Sequence, residues 1–268
     1  SRHRRRSSGR PRRRRTTPGE PTRRRSTSGK VEAPPQTDPN LVAAIKKVLL
    51  PQNELSTVQQ EPEFVTKISN LKEMMGVRHC VFVLGTAGAA KTELWKTLAA
   101  AQTHLQVGGG RTYYSTLNPK AVTSNELYGY VHPVTKEPYD GIIAKIMRDF
   151  SKASSEAPKW VILDGDIDAE WIESMNTVMD DNKVLTLVSN ERIPLSAPMR
   201  LLFEISHLRN ASPATVSRAG IIYVSLADLG WLPMVQSWIA GTKRSAEHVE
   251  ALTKYFNTYV PSLMEFLL

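Results

Sequence analysis

The stretch Cys80-Val-Phe-Val-Leu-Gly-Thr-Ala-Gly-Ala-Ala-Lys-Thr92 decides the fold. Its first five residues are apolar and read as a buried strand. Gly85, Thr86, Ala87, Gly88, Ala89, Ala90, Lys91 and Thr92 then follow Gly-x-x-x-x-Gly-Lys-Ser/Thr at every fixed position but one. In that pattern backbone N–H groups cradle phosphates, the lysine reaches the β/γ oxygens and the hydroxyl binds Mg²⁺. Ala90 stands where the second glycine belongs. After the loop, Leu94, Leu98, Ala101 and Leu105 recur at helical spacing, so one apolar helix face starts at the phosphate site. Strand, Gly-rich loop and helix together are the context that the motif requires.

The exception at Ala90 has a definite physical meaning. A glycine permits a left-handed backbone or a close phosphate approach that a Cβ obstructs. An alanine forced into the left-handed region costs roughly 1–2 kcal/mol. If that strain arises only on binding, it weakens affinity by about 5- to 30-fold.

Outward from the loop, the pattern alternates strands with helices. Upstream, folding is expected to begin near Leu41, and Val65, Ile68, Leu71, Met74 and Met75 predict a helix leading into the first strand. Downstream, Thr112 to Leu117 reads as a strand closed by Asn118-Pro119, since proline disfavours helical geometry in the residue before it. A turn-rich stretch from Tyr128 to Pro138 precedes an amphipathic helix through Tyr139, Ile142, Ile143, Ile146, Met147 and Phe150. Trp160 to Leu163 is a continuous apolar run ending in Asp164, as in a strand buried on both faces of a parallel sheet. Trp171, Ile172, Met175, Val178 and Met179 mark another helix, 184–195 a hairpin around Ser189-Asn190, and 201–205 and 221–224 two further strands. Past Ser225 the pattern is helical, with Leu252, Tyr255, Phe256 and Tyr259 on one face before Pro261. The fold class is α/β with a mostly parallel sheet, its ligands at the carboxyl ends of the strands.

Charge is concentrated at the start of the chain. The 268 residues carry a net charge of +9, but residues 1 to 30 hold 13 of the 35 Lys+Arg and only Glu20 of the 26 acids. That segment is therefore +12 and the remainder −3, so the folded part has no nucleic-acid surface in its charge balance. Residues 1 to 40 lack the apolar area to fold and are expected to be a disordered basic tail, a solvated segment or a contact for polyanions. The lone Cys80 excludes an internal disulfide and fits a reducing compartment. No apolar run approaches the about 18 residues of a membrane span. The six histidines show no metal-ligand spacing, so a zinc site is not expected.

Lys91 and Thr92 are the leading ligands for phosphate and Mg²⁺. Asp164 is the natural carboxylate partner for the same ion, although a lone Asp at a strand end is also a common turn former. The next residue, Gly165, has no side chain to position an attacking water. Asp166 and Asp168 fit helix capping better than catalysis. By composition alone, Arg218 is a surface arginine.

The runs 118–129 (NPKAVTSNELYG), 160–183 (WVILDGDIDAEWIESMNTVMDDNK) and 214–220 (ATVSRAG) closely resemble the second AAA+ module of dynein heavy chains, the axonemal branch in particular. The resemblance covers roughly residues 51–268. It implies an AAA+ large α/β subdomain of a P-loop NTPase at 77–226, a helical lead-in at 41–76 and part of a helical small subdomain at 227–268. It further implies ATP or ADP with Mg²⁺ in a structural or regulatory role, and a place in a six-module ring. Arg218 then matches the arginine that such a module lends to the neighbouring hydrolytic site. Asp-Gly-Asp at 164–166 matches the module too, in place of the Asp-Glu of hydrolysing relatives.

The expected function is an ATP·Mg-holding module of a microtubule motor with little hydrolysis of its own. Its partners would be neighbouring AAA+ modules and other dynein subunits, with microtubules only indirect and no membrane. Cytoplasm, cytoskeleton and ciliary axoneme would be its locations, and the chain reads as fragment-like. The alternatives are an active stand-alone P-loop ATPase and a non-binding scaffold with an anion-binding tail.

Overall fold

Side-chain parity along the central strands sorts the apolar residues into two layers, one on each face of a parallel sheet. The computed structural model describes residues 38–49, 62–226, 230–241 and 245–267. The strands are β1 (Cys80–Leu84), β2 (Tyr113–Leu117), β3 (Gly129–Val131), β4 (Pro138–Asp140), β5 (Lys159–Asp164), β6 (Val184–Thr186), β7 (Arg192–Pro194), β8 (Met199–Ile205) and β9 (Gly220–Tyr223). The helices are α1 (Pro39–Val48), α2 (Pro62–Val77), α3 (Lys91–His104), α4 (Ser124–Tyr128), α5 (Ile142–Lys152), α6 (Ala169–Met179), α7 (Pro213–Arg218), α8 (Leu232–Gly241) and α9 (Ala246–Leu267).

Five strands form the main sheet in the order β2-β5-β8-β1-β9, and every neighbouring pair is parallel. Val81, Val83, Ile162 and Leu202 pack on one face against Ile68 and Leu71 of α2 and Leu94 and Leu98 of α3. Phe82, Val161, Leu163 and Phe203 pack on the other face against Ile143 and Met147 of α5 and Trp171 and Met175 of α6. Each such fully buried side chain contributes about 1.5–3 kcal/mol relative to exposure. One consequence of the strand order matters for the site. Because β8 lies between β1 and β5, Glu204 is in register with Val83 on one side and with Asp164 on the other.

The strands expected at 112–117, 160–163, 201–205 and 221–224 are present within a residue or two, as are the hairpin at 184–195 and the helices at 65–75 and 171–179. Five expectations need correction. Leu105 caps α3 and is 40% exposed, so the apolar face ends at Ala101. Tyr139 is not in α5; it pairs with Tyr130 across the β3–β4 hairpin, the rings stacked at 5.0 Å. That hairpin occupies the stretch from Tyr128 to Pro138 that reads as turn-rich, because a three-residue strand is too short to show a period, and α4 lies just before it. Pro261 does not end the last helix, which runs through it at the loss of one backbone hydrogen bond. The face expected there divides: Phe256 meets Trp238 of α8 edge-on, while Tyr255 and Tyr259 are exposed. The tail at 1–37 lies outside the described residues.

Arg148 on α5 joins the two small hairpins. Its guanidinium donates to both Asp140 carboxylate oxygens at 2.6 and 2.8 Å and to both of Glu191 at 2.9 and 2.6 Å. These bonds hold both carboxyls below the usual carboxylate range. A carboxyl with a lowered folded-state pKa contributes stability above its unfolded value and loses it as pH falls through the folded one. Acidification below the ordinary carboxylate pKa is therefore expected to loosen both hairpins. Hydrogen exchange should show this as lower protection, relative to the intrinsic exchange rate at each pH, at β4 and β7, and Arg148→Ala should remove that acid-induced loss of protection. The contribution is modest because the network is solvent-accessible.

Candidate nucleotide site

The loop between β1 and α3 takes its shape from two close constraints. Gly85 N–H donates to the Ile205 carbonyl at 3.1 Å, and a Cβ at Gly85 would sit 2.3 Å from the Val224 carbonyl oxygen. The strand thus ends with the loop wedged between β8 and the end of β9. Gly88 then turns with φ +79°, and Ala90 follows with φ 64° and ψ 27° in the left-handed region. So the position that the motif reserves for glycine does require a positive φ, and alanine bears the strain. Since this conformation belongs to the folded loop, the strain counts against folding. Ala90→Gly is expected to raise stability by about 1 kcal/mol, the left-handed penalty less the extra chain entropy of glycine. An unchanged urea midpoint would refute that assignment.

Helix α3 starts at Lys91 with no side-chain hydrogen bond capping its first turn. Its opening N–H groups and the positive end of its dipole face the loop, which suits an anion. Lys91 Nζ donates to the Gly85 and Thr86 carbonyls at 2.8 and 3.0 Å, folding the ammonium back over the loop. At the next residue, Thr92 Oγ1 donates to Glu204 Oε2 at 2.9 Å, and one turn on Trp95 Nε1 donates to Glu204 Oε1. Burial pushes the Glu204 carboxyl up, and the nearby Asp164 adds to this; the bonds from Trp95 and Thr92 and the charge of Lys91 oppose it.

Sequence reading passed over Glu204. The signal was present in Leu201-Leu-Phe-Glu-Ile205, where a carboxylate interrupts an otherwise apolar buried strand. Its parity with Leu202 puts it on the α3 face of the sheet. What the pattern does not contain is the strand order that sets it behind Thr92.

The other candidates are distributed around the same strand ends. Asp164 ends β5 on the solvent side, beside Glu204 in register. A Cβ at Gly165 would lie 2.8 Å from Asn118 Oδ1, which accepts from Lys120 N–H. The position after Asp164 is therefore already crowded by a capping side chain. Asp168 caps α6 through Glu170 N–H at 2.9 Å, as expected. Asp166, in contrast, does not cap that helix: it accepts from Ser206 N–H and Oγ–H, both at 2.6 Å, and ties the β5 loop to the end of β8. Arg218, at the last residue of α7, donates through Nε to Asp180.

The residues present fit a nucleotide and Mg²⁺ by their donor chemistry. An uncapped helix start, a lysine and a left-handed glycine turn converge on one loop. A cavity of about 270 Å³ lies beside it, lined by Gly88, Ala90, Lys91 and Thr92 and by Pro233 and Met234 of α8. Among the described residues no group of three or more His, Cys, Asp or Glu could hold a metal by itself. Mg²⁺ bound through a hydroxyl, one carboxylate and substrate phosphates needs no such cage.

A Gly-rich loop between a central parallel strand and a helix, with the adjacent strand ends carrying carboxylates, defines a P-loop nucleotide-binding module. The chain belongs to the AAA domain (dynein-related subfamily), whose family model matches residues 80–219. It is 48% identical over 237 residues to dynein axonemal heavy chain 9 of Homo sapiens, covering 88% of this chain and 5% of that relative. It is 52% identical over 210 residues to the ciliary dynein beta chain of Heliocidaris crassispina, covering 78% and 5%. With the flagellar outer arm dynein beta chain of Chlamydomonas reinhardtii it shares 51% over 207 residues, covering 77% and 4%. The chain is thus an AAA module of the dynein heavy-chain type and spans about 5% of the length of these relatives. No described helix is long and apolar enough to cross a membrane.

Proposed function

We propose that the chain holds ATP or ADP with Mg²⁺ at the Gly85–Thr92 loop, turns it over little by itself, and offers Arg218 to a neighbouring module. The observation that carries this reading is the uncapped start of α3, where Lys91 and Thr92 follow a loop with its left-handed turns in place. Loop N–H groups bind the phosphates, Lys91 exchanges its carbonyl partners for phosphate oxygens, and Thr92 and Asp164 hold the ion. Bound Mg²⁺ neutralises phosphate charge. The weak turnover is supported by Gly165, which has no side chain to position water and no room to gain one without displacing Asn118.

Arg218 is partly exposed at the end of α7, and its pairing through Nε leaves the terminal amino groups to other acceptors. That geometry supports a role across a module boundary within a ring. Residues 77–226 form the nucleotide-binding subdomain and 227–268 the start of a helical one. The further partners are other AAA+ modules and subunits of an axonemal dynein, with microtubules contacted indirectly. The basic residues 1–30 contact polyanions.

A fluorescent ATP analogue titrated with MgCl₂ against the chain and against Lys91→Ala tests the holding site. Saturable binding lost in the variant is expected, with phosphate release no faster than in the variant. Steady release well above that control would overturn the weak-turnover reading in favour of an active ATPase.

A further inference from the structure

Glu204 accepts two hydrogen bonds from α3, one on each carboxylate oxygen, and is 3% exposed. Trp95 Nε1–H is a donor only, and it fixes one oxygen. The other oxygen takes the single proton of the Thr92 hydroxyl, at 2.9 Å. A hydroxyl that gives its proton away keeps its lone pairs for another partner. A hydroxyl that accepts instead must turn its own proton outward, toward any cation it faces. The orientation of Thr92 is therefore set by a residue on β8, not by the loop.

We propose that Glu204 is a positioning residue for Mg²⁺: by accepting the Thr92 proton it keeps the hydroxyl oxygen presented to the ion, and Trp95 locks it in that role. This rests on the reading of Thr92 as an Mg²⁺ ligand. It gives the ion site of this module a third contributing residue beside Thr92 and Asp164, supplied by the strand between β1 and β5.

Glu204→Gln tests the idea because it preserves shape and changes the donor pattern. Trp95 can only donate, so the amide oxygen must face Trp95 and the amide NH₂ must face Thr92. Thr92 then becomes an acceptor and its proton points at the ion. Replacing Trp95 by Phe in the same chain frees the amide to reverse, so that its oxygen again accepts from Thr92. The readout is the ratio of affinities of the full chain for a fluorescent ATP analogue with MgCl₂ and with EDTA. Circular dichroism confirms that each variant is folded.

In Glu204→Gln that ratio is expected to fall about tenfold or more while affinity in EDTA stays near that of the parent. In Trp95→Phe/Glu204→Gln it is expected to recover. An unchanged ratio in the single variant overturns the proposal, and so does a lost ratio that the double variant does not restore, which would mean a merely structural role. If the parent binds the analogue equally with and without Mg²⁺, the positioning role fails while the nucleotide-holding reading stands. If the parent does not bind it at all, both fail.

Discussion

Lys91→Ala is expected to weaken nucleotide binding by about 100-fold and to shift the unfolding midpoint by little. The ammonium sits at the first helical residue and reaches two loop carbonyls, at 2.8 and 3.0 Å. The Thr86 carbonyl is exposed and the Gly85 carbonyl part-buried at the loop edge, so water replaces the lysine fully at one and in part at the other, and stability falls by about 1 kcal/mol. Phosphate oxygens are the stronger partners. Charge-assisted bonds to them are worth about 1.5–3 kcal/mol each, and losing their sum of roughly 3 kcal/mol is the stated hundredfold. Titration with a fluorescent ATP analogue, alongside urea unfolding, separates the two quantities. A large loss of stability with unchanged affinity would make Lys91 a structural brace for the loop rather than a phosphate ligand.

Gly85→Ala is expected to destabilise the chain by about 3 kcal/mol, or about 10 °C in the thermal midpoint for a chain of this size. The added Cβ would meet the Val224 carbonyl oxygen at 2.3 Å, and that carbonyl is backbone. It has little freedom to withdraw, because Val224 N–H donates to the Leu84 carbonyl at 2.7 Å and holds the end of β9 against β1. Relief requires the loop or the sheet edge to move. Gly76 is the matched control: a Cβ there meets nothing within 4 Å, and it lies in the last turn of α2. Gly76→Ala should be neutral or stabilising by up to about 1 kcal/mol from helix propensity. Equal effects at both positions would show that the close approach to Val224 is not what Gly85 serves.

Much of the site was legible in the chain. The loop residues are contiguous, and β1 and α3 announce themselves through an apolar run and a helical period, so Lys91 and Thr92 could be placed on the first turn before any coordinates. Asp164 was legible for the same reason, at the end of a run apolar enough to be a strand buried on both faces. Asp166 was harder, since the donor that claims it, Ser206, is 40 residues away at the end of another strand. Arg218 carries a similar lesson: its partner Asp180 closes α6, and no local pattern relates the two. The β3–β4 hairpin was missed because its strands are three residues long and its stabilising contacts, the Tyr130–Tyr139 stack and the Arg148 bridge, are non-local.

By itself, then, the sequence determined the class of fold, the phosphate loop and the residues at its helix start, because each depends on neighbours within a few positions along the chain. It also posed the question of Ala90 without answering it, since a backbone dihedral is set by what surrounds the loop. Only the tertiary structure decided that Ala90 is left-handed, that Gly85 is wedged against Val224, and that Glu204 stands behind Thr92. The last two follow from placing β8 and β9 on either side of β1. Strand order is a long-range choice made by packing two apolar faces at once, and it brings together residues more than a hundred positions apart.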